Sequence, residues 1–254
     1  MSLIHCSFFS KSLMKMTNYA VILPRVDLDA VEKGFKFQTC LLLHGLGDDY
    51  TNWLRFSSIE RYADENMLAV LLPFADKSFY TDMKHGHKFA EFVGKEVHEF
   101  SRAHFPLSDK REDNFIAGLS MGGYGAFKLA LARPEKYAAA ASFSGSVMIK
   151  HIYSNIHVDM LSIFGPPEEM KEEEDIPYLL HRDIAENRQI PKLIQYCGTS
   201  DFLYKHNVEL RGIIEKTGVD YVYEEWEGTH EWGFWDLSMQ KALKEFGLKK
   251  SVVY

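Results

Sequence analysis

The chain has 254 residues, 46% of them hydrophobic and 26% charged, enough apolar mass to bury a sizeable core and too little polar bias for disorder. A net charge of −7 repels phosphate backbones and no basic patch counters it, so nucleic acid is not an expected partner. The longest apolar run, Met67 to Phe74, is far shorter than the ~20 residues of a bilayer-crossing helix, and the first residues lack the basic start, apolar core and cleavage site of a secretory leader, so a cytoplasmic protein is expected.

Leu3 to Leu13 and Asn18 to Pro24 are predicted as two strands joined by a short connection, an antiparallel ribbon at one edge of a sheet. Beyond residue 37, strand-like and helix-like segments alternate. Gln38 to Leu43, Met67 to Phe74, Asn114 to Ala117, Tyr137 to Phe143 and Lys192 to Cys197 are short runs suited to strands buried on both faces, and Tyr221 to Trp226 is the last. Helical spacing occurs at Lys88 to His104, where Phe89, Phe92, Val93, Val97 and Phe100 recur on one side, and at Gly123 to Ala132, stopped by Pro134. Asn207 to Thr217 and Asp236 to Phe246 complete the helices. The alternation predicts an α/β domain, a mostly parallel sheet with helices on both faces. One domain is expected over 1–254, with a cap-like insertion at about 147–190. There the alternation breaks at Pro166-Pro167 and at the acidic run Glu172-Glu173-Glu174-Asp175, read as a solvated face.

Cys6, Cys40 and Cys197 are odd in number and lie far apart in apolar runs, which points to buried free thiols rather than disulfides or a zinc knuckle. His85 and His87 form an H-x-H pair without acidic or cysteine partners at metal spacing, so no metal is expected. His98 and His104 fall on a predicted helix and read as surface residues.

Chemistry concentrates in Asp113-Asn-Phe-Ile-Ala-Gly-Leu-Ser-Met-Gly-Gly-Tyr-Gly125. Ser120 is flanked at two residues either way by Gly118 and Gly122, after a buried-strand run and before a helix. A sharp strand-to-helix turn that holds a serine in a strained conformation needs small residues at those places, because neighbouring chain comes too close for a Cβ. A hydroxyl is a poor nucleophile near neutral pH, so Ser120 needs a base, and the base an orienting carboxylate. Asp201, just beyond the strand KLIQYC, and His230, in Gly228-Thr-His-Glu-Trp232, follow in the order such an elbow requires and belong at the sheet's carboxyl edge. His44 follows a strand directly and is read as ordering its own loop. Glu224, Glu225 and Glu227 precede His230 too closely to orient it. The negative oxygen of a tetrahedral intermediate needs donors, and the backbone N–H of Met121 and of Leu46, in His44-Gly45-Leu46-Gly47, are the candidates. Trp53, Tyr80, Trp232 and Trp235 are candidates to line an apolar pocket, although simple packing is the commoner role.

Together, HGLGDDYTNWLR, FYTD, FIAGLSMGGYGAFKLAL, ASFSG, CGTSDFLY and GTHEW resemble the tributyrin esterases of the esterase D group. The resemblance implies an α/β-hydrolase fold, hydrolysis of short-chain acyl esters without a cofactor, a small-molecule ester as the partner, and Ser120, Asp201 and His230 as triad with Leu46 and Met121 at the oxyanion positions. It leaves a homo-oligomer open. S-formylglutathione hydrolases, some feruloyl and acetylxylan esterases, and mycolyltransferases share or neighbour this group. The formylglutathione enzymes usually carry Ser-Gly-Leu-Thr-Cys where this chain has His44-Gly45-Leu46-Gly47-Asp48.

Overall fold

A computed structural model describes residues 1–153 and 160–249. Its strands are β1 (Ser2–Ser10), β2 (Lys15–Leu23), β3 (Gln38–Leu43), β4 (Leu68–Pro73), β5 (Asn114–Leu119), β6 (Ala139–Phe143), β7 (Lys192–Gly198) and β8 (Tyr221–Trp226). Among the described residues they form one eight-stranded sheet in the order β1-β2-β4-β3-β5-β6-β7-β8. The first two strands are an antiparallel ribbon, β2 joins β4 antiparallel, and every later pair is parallel. This is the α/β-hydrolase fold, with the edge ribbon where the sequence puts it.

Unbroken apolar strands follow from coverage on both faces. Leu41, Leu71, Ile116 and Ala140 point into one core, which the helix Met121–Ala132 and the segment Phe89 to His104 cover. Cys40, Leu42, Val70, Phe115 and Ala141 point into the other, against Ile59–Glu65 and Trp232–Glu245. Cys197 is buried as well, whereas Cys6, on the exposed ribbon, is only half covered.

The helix predicted at Lys88 to His104 runs as Phe89–Glu91, a π turn at Phe92–Glu96, and Val97–His104. A π turn displaces carbonyls from the usual ladder, and the Gly94 carbonyl accepts from Arg133 Nη1 at 3.4 Å and Lys136 Nζ at 3.2 Å. The same face corrects His98. It is buried, 3.0 Å from the Tyr137 hydroxyl, and burial, with the Arg102, Lys136 and Arg133 charges, pushes it down to about 3. His104 is exposed, as expected.

Two helix starts lie earlier than their periodicity suggests. The helix after β7 begins at Tyr204, and the last begins at Trp232, because the Glu231 carboxylate accepts from the Gly233 and Phe234 N–H groups at 2.9 and 3.1 Å. Short helices at Asn52–Phe56 and Ile59–Glu65 carry too few turns to show a period.

Between β6 and β7 the chain leaves the strand alternation for short helical pieces, including Ile176–Ala185; residues 154–159 of the expected insertion lie outside the described residues. Its acidic run is not a solvated face throughout. Glu174 and Asp175 are buried. Glu174 pairs with Lys128 and with the Thr81 hydroxyl and accepts from Tyr124 Oη at 3.2 Å, while Asp175 pairs with Lys150 at 3.0 Å. Removing these carboxylates from water requires partners, and two of them, Lys128 and Tyr124, tie this segment to the helix that follows β5.

Register sets the site. Leu43 pairs with Gly118, Leu119 with Phe143, Phe143 with Tyr196, and Gly198 with Trp226. The loops that follow β3, β5, β6, β7 and β8 therefore leave from one carboxyl edge, side by side.

Candidate active site

Ser120 sits between β5 and the helix Met121–Ala132 with φ 53° and ψ −117°, a conformation costing a non-glycine residue about 1–3 kcal/mol. The surroundings over-determine it. Its N–H donates to Phe143 O at 2.9 Å, and its carbonyl accepts from Gly123, Tyr124 and Ser146 N–H at 3.0, 3.2 and 3.0 Å. A Cβ on Gly122 would stand 2.5 Å from the Leu43 carbonyl oxygen, and one on Gly118 would strike the Gly122 carbonyl. The glycines flanking Ser120 are thus demanded by backbone approach on both sides of the turn.

His230 Nε2 lies 2.9 Å from Ser120 Oγ, and its Nδ1 lies 2.8 Å from Asp201 Oδ2. The Asp201 side chain is inaccessible and that of His230 is 18% exposed. Asp201 Oδ1 also accepts from the Leu203 N–H at 2.8 Å. Burial pushes the Asp201 carboxyl up, but the hydrogen bond and charge of His230 and the Leu203 amide outweigh it and hold the carboxyl below the usual range. A charged Asp201 accepts the proton of Nδ1, which leaves Nε2 free to accept from the Ser120 hydroxyl. The Trp235 ring packs edge-on to His230 at 4.9 Å, and Phe202, 73% exposed, covers it at 4.5 Å.

The loop after β3 crosses the elbow closely enough that a Cβ on Gly45 would meet Leu119 Cδ1 at 2.6 Å. His44 orders this loop. Its Nδ1 lies 2.8 Å from Gly45 O and its Nε2 accepts from Ala75 N–H at 2.9 Å, and burial pushes it down to about 4. Trp53 and Tyr80 are buried too; Trp53 Nε1 donates to Leu43 O at 3.0 Å and Tyr80 Oη to His44 O at 2.9 Å. Both anchor this loop instead of lining a pocket. Among the described residues no hydrogen bond from the Leu46 or Met121 N–H to backbone outside the helices and strands is found.

A cavity of about 330 Å³ opens over Ser120 and His230, walled by Leu46, Leu119, Trp232 and Trp235, with Asp48 and Glu231 also among its lining residues. Asp48 and Phe202 were missed by motif reasoning, because each merely follows a motif residue and only loop geometry brings Asp48 to the cavity wall and Phe202 against His230. His85 and His87 are exposed and stand away from this edge's hydrogen bonds. Among the described residues no group of three or more His, Cys, Asp or Glu could hold a metal ion, and no helix is long and apolar enough to cross a membrane.

The Esterase family model, described as "Putative esterase", matches residues 10–246. The chain belongs to this family. The esterase is 34% identical to an acetyl esterase of Caldicellulosiruptor saccharolyticus, over 96% of this chain and 97% of that one. Among solved structures it is similar to the fluorophosphonate-binding serine hydrolase FphF of Staphylococcus aureus (36% identity, TM-score 0.90) and to the S-formylglutathione hydrolase FrmB of the same organism (37%, 0.88); each alignment covers 96% of this chain and 98% of the other. The esterase is a serine ester hydrolase of the esterase D-like group.

Proposed function

We propose that the esterase hydrolyses acetyl and similarly short acyl esters, such as tributyrin, through an acyl-serine intermediate on Ser120. The hydrogen-bonded chain Ser120–His230–Asp201 on a left-handed serine carries this reading. His230 Nε2 takes the hydroxyl proton as Ser120 Oγ attacks the ester carbonyl, and Asp201 steadies the imidazolium. The Leu46 and Met121 N–H groups take the developing negative oxygen; losing such a donor costs on the order of 100- to 1000-fold in turnover. His230 then protonates the departing alcohol and deprotonates the water that releases the acid. The modest cavity and the similarity to an acetyl esterase support a short acyl chain. We read residues 1–254 as one catalytic unit, with the segment at about 147–190 as its cap.

S-formylglutathione hydrolysis is the second reading, favoured by the likeness to FrmB; Asp48 standing where those enzymes usually carry cysteine argues against it. A panel of p-nitrophenyl esters from acetate to octanoate, run beside tributyrin, S-formylglutathione, and feruloyl and acetylated sugars, tests both. Acetate to butyrate should be fastest, and Ser120→Ala should lower kcat by roughly 10⁴-fold or more. A maximum at octanoate, or turnover retained by Ser120→Ala, would reject the proposal.

A further inference from the structure

The cavity over Ser120 has a sign as well as a size. Asp48 and Glu231 stand among its lining residues, and no lysine or arginine does. The two carboxylates differ in what they offer a ligand. Both oxygens of Glu231 accept N–H groups at the start of the last helix, whose positive end offsets the charge. Asp48 meets the Gly45 backbone and a neutral side-chain amide instead. Its Oδ1 accepts from the neutral Asn52 amide at 2.7 Å, and its Oδ2 rests over Gly45, 3.2 Å from where a Cβ would stand. Burial and the neighbouring Asp49 push its carboxyl up, while the Gly45 backbone and His230 pull the other way, so the one opposite charge that faces it arises when His230 is protonated.

The cavity lining is also aromatic. Trp232 packs edge-on to Trp53 at 5.2 Å and to Trp235 at 5.4 Å, and an indole attracts cations through its face. Arg55 lies over the Phe56 ring at 5.3 Å, and Phe56 in turn lies against Trp232 at 5.4 Å, so two rings separate that guanidinium from the cavity.

We infer that Asp48 determines charge specificity, steering this esterase toward esters whose groups flanking the scissile bond are neutral or cationic and away from those bearing an anion there. The inference rests on the reading that Ser120 is the nucleophile and this cavity its substrate site. It speaks against glutathione thioesters, whose two carboxylates outnumber their one ammonium. Asp48→Asn keeps the shape and an oxygen for Asn52, and removes only the charge.

The test uses phenyl acetates with a para carboxylate, carboxamide or trimethylammonium group. Taking kcat/KM ratios against the neutral carboxamide within each enzyme cancels intrinsic reactivity and any general loss in the variant. In Asp48→Asn the anion-to-neutral ratio should rise on the order of tenfold and the cation-to-neutral ratio should fall comparably, the size expected of one partly screened charge. In the wild type, about 0.5 M salt should move both ratios the same way, by less. Both ratios holding within twofold in a variant that still cleaves the neutral ester would overturn the inference. If the variant is inactive, wild-type ratios that stay flat with salt would overturn it. A wild type that fails on the neutral ester would remove the esterase reading itself, and the inference with it.

Discussion

Ser120 is held by its neighbours rather than by its own preference. Its backbone accepts three N–H groups and donates one, and the space beside it is closed by Gly118 and Gly122 against the β3 strand. Gly122→Ala forces a methyl into the Leu43 and His44 carbonyls, which lie 2.5 and 2.7 Å from the Cβ position. We expect a loss of roughly 2–3 kcal/mol in urea denaturation, from backbone that cannot yield as a flexible side chain would. Ester turnover per folded molecule should fall as well, since the Leu46 loop rides on the same contact. This residue-level demand explains why Ser120, Asp201 and His230 are legible in sequence: glycines at fixed spacing and a carboxylate and imidazole after successive strands leave marks in one dimension. Asp48, Phe202 and His98 leave none. Which way a loop or helix side chain turns depends on partners far along the chain, Tyr137 in the case of His98.

At the scale of elements, the helix Met121–Ala132 serves two neighbours at once. Its N-terminus presents Ser120, and its middle holds the 147–190 segment through Lys128, whose ammonium pairs with Glu174 and donates to Tyr80 O at 3.3 Å. Their side chains are only 5% and 11% exposed. Lys128→Met strands Glu174 as a buried charge and should cost about 3–5 kcal/mol, whereas Lys128→Met combined with Glu174→Gln should recover much of that loss, since the neutral amide still meets the Thr81 and Tyr124 hydroxyls. Equal stability of the single and double variants in a urea series would contradict this. The sequence marks the helix and the acidic run separately and reads the run as solvated; a lysine inside an apolar helix is the available hint that it is paired. Unbroken apolar runs identify the buried strands well, because coverage on both faces removes alternation. One-turn helices and the π turn escape for want of a period, and helix starts set by a side-chain cap, as at Glu231, shift the boundary by a turn.

For the molecule as a whole, two buried imidazoles tie stability to pH. His44 is pushed down to about 4 and His98 to about 3, so both are neutral when folded, while their unfolded counterparts protonate near 6.5. The unfolded chain therefore binds more protons as pH falls from 6.5 toward those values, and folding weakens over that window. Stability from this source is fully present above pH 6.5 and falls by roughly 2 kcal/mol per imidazole at pH 5. Denaturant midpoints at pH 7 and 5 should differ accordingly, and His98→Gln should reduce the difference by about half; a wild type indifferent to this range would refute the linkage. Strand order was legible only in outline, since alternation announces a parallel sheet without saying that β3 lies between β4 and β5. That order has a kinetic corollary. The hydroxyl and its imidazole lie 110 positions apart in the chain, on turns that leave the sheet three strands apart, so the activated alcohol we propose requires β7 and β8 to have docked, and labelling by an organophosphorus reagent should report that event. Time-resolved labelling during refolding would then trail the recovery of helical circular dichroism, turning the reactive side chain into a clock for the final assembly step.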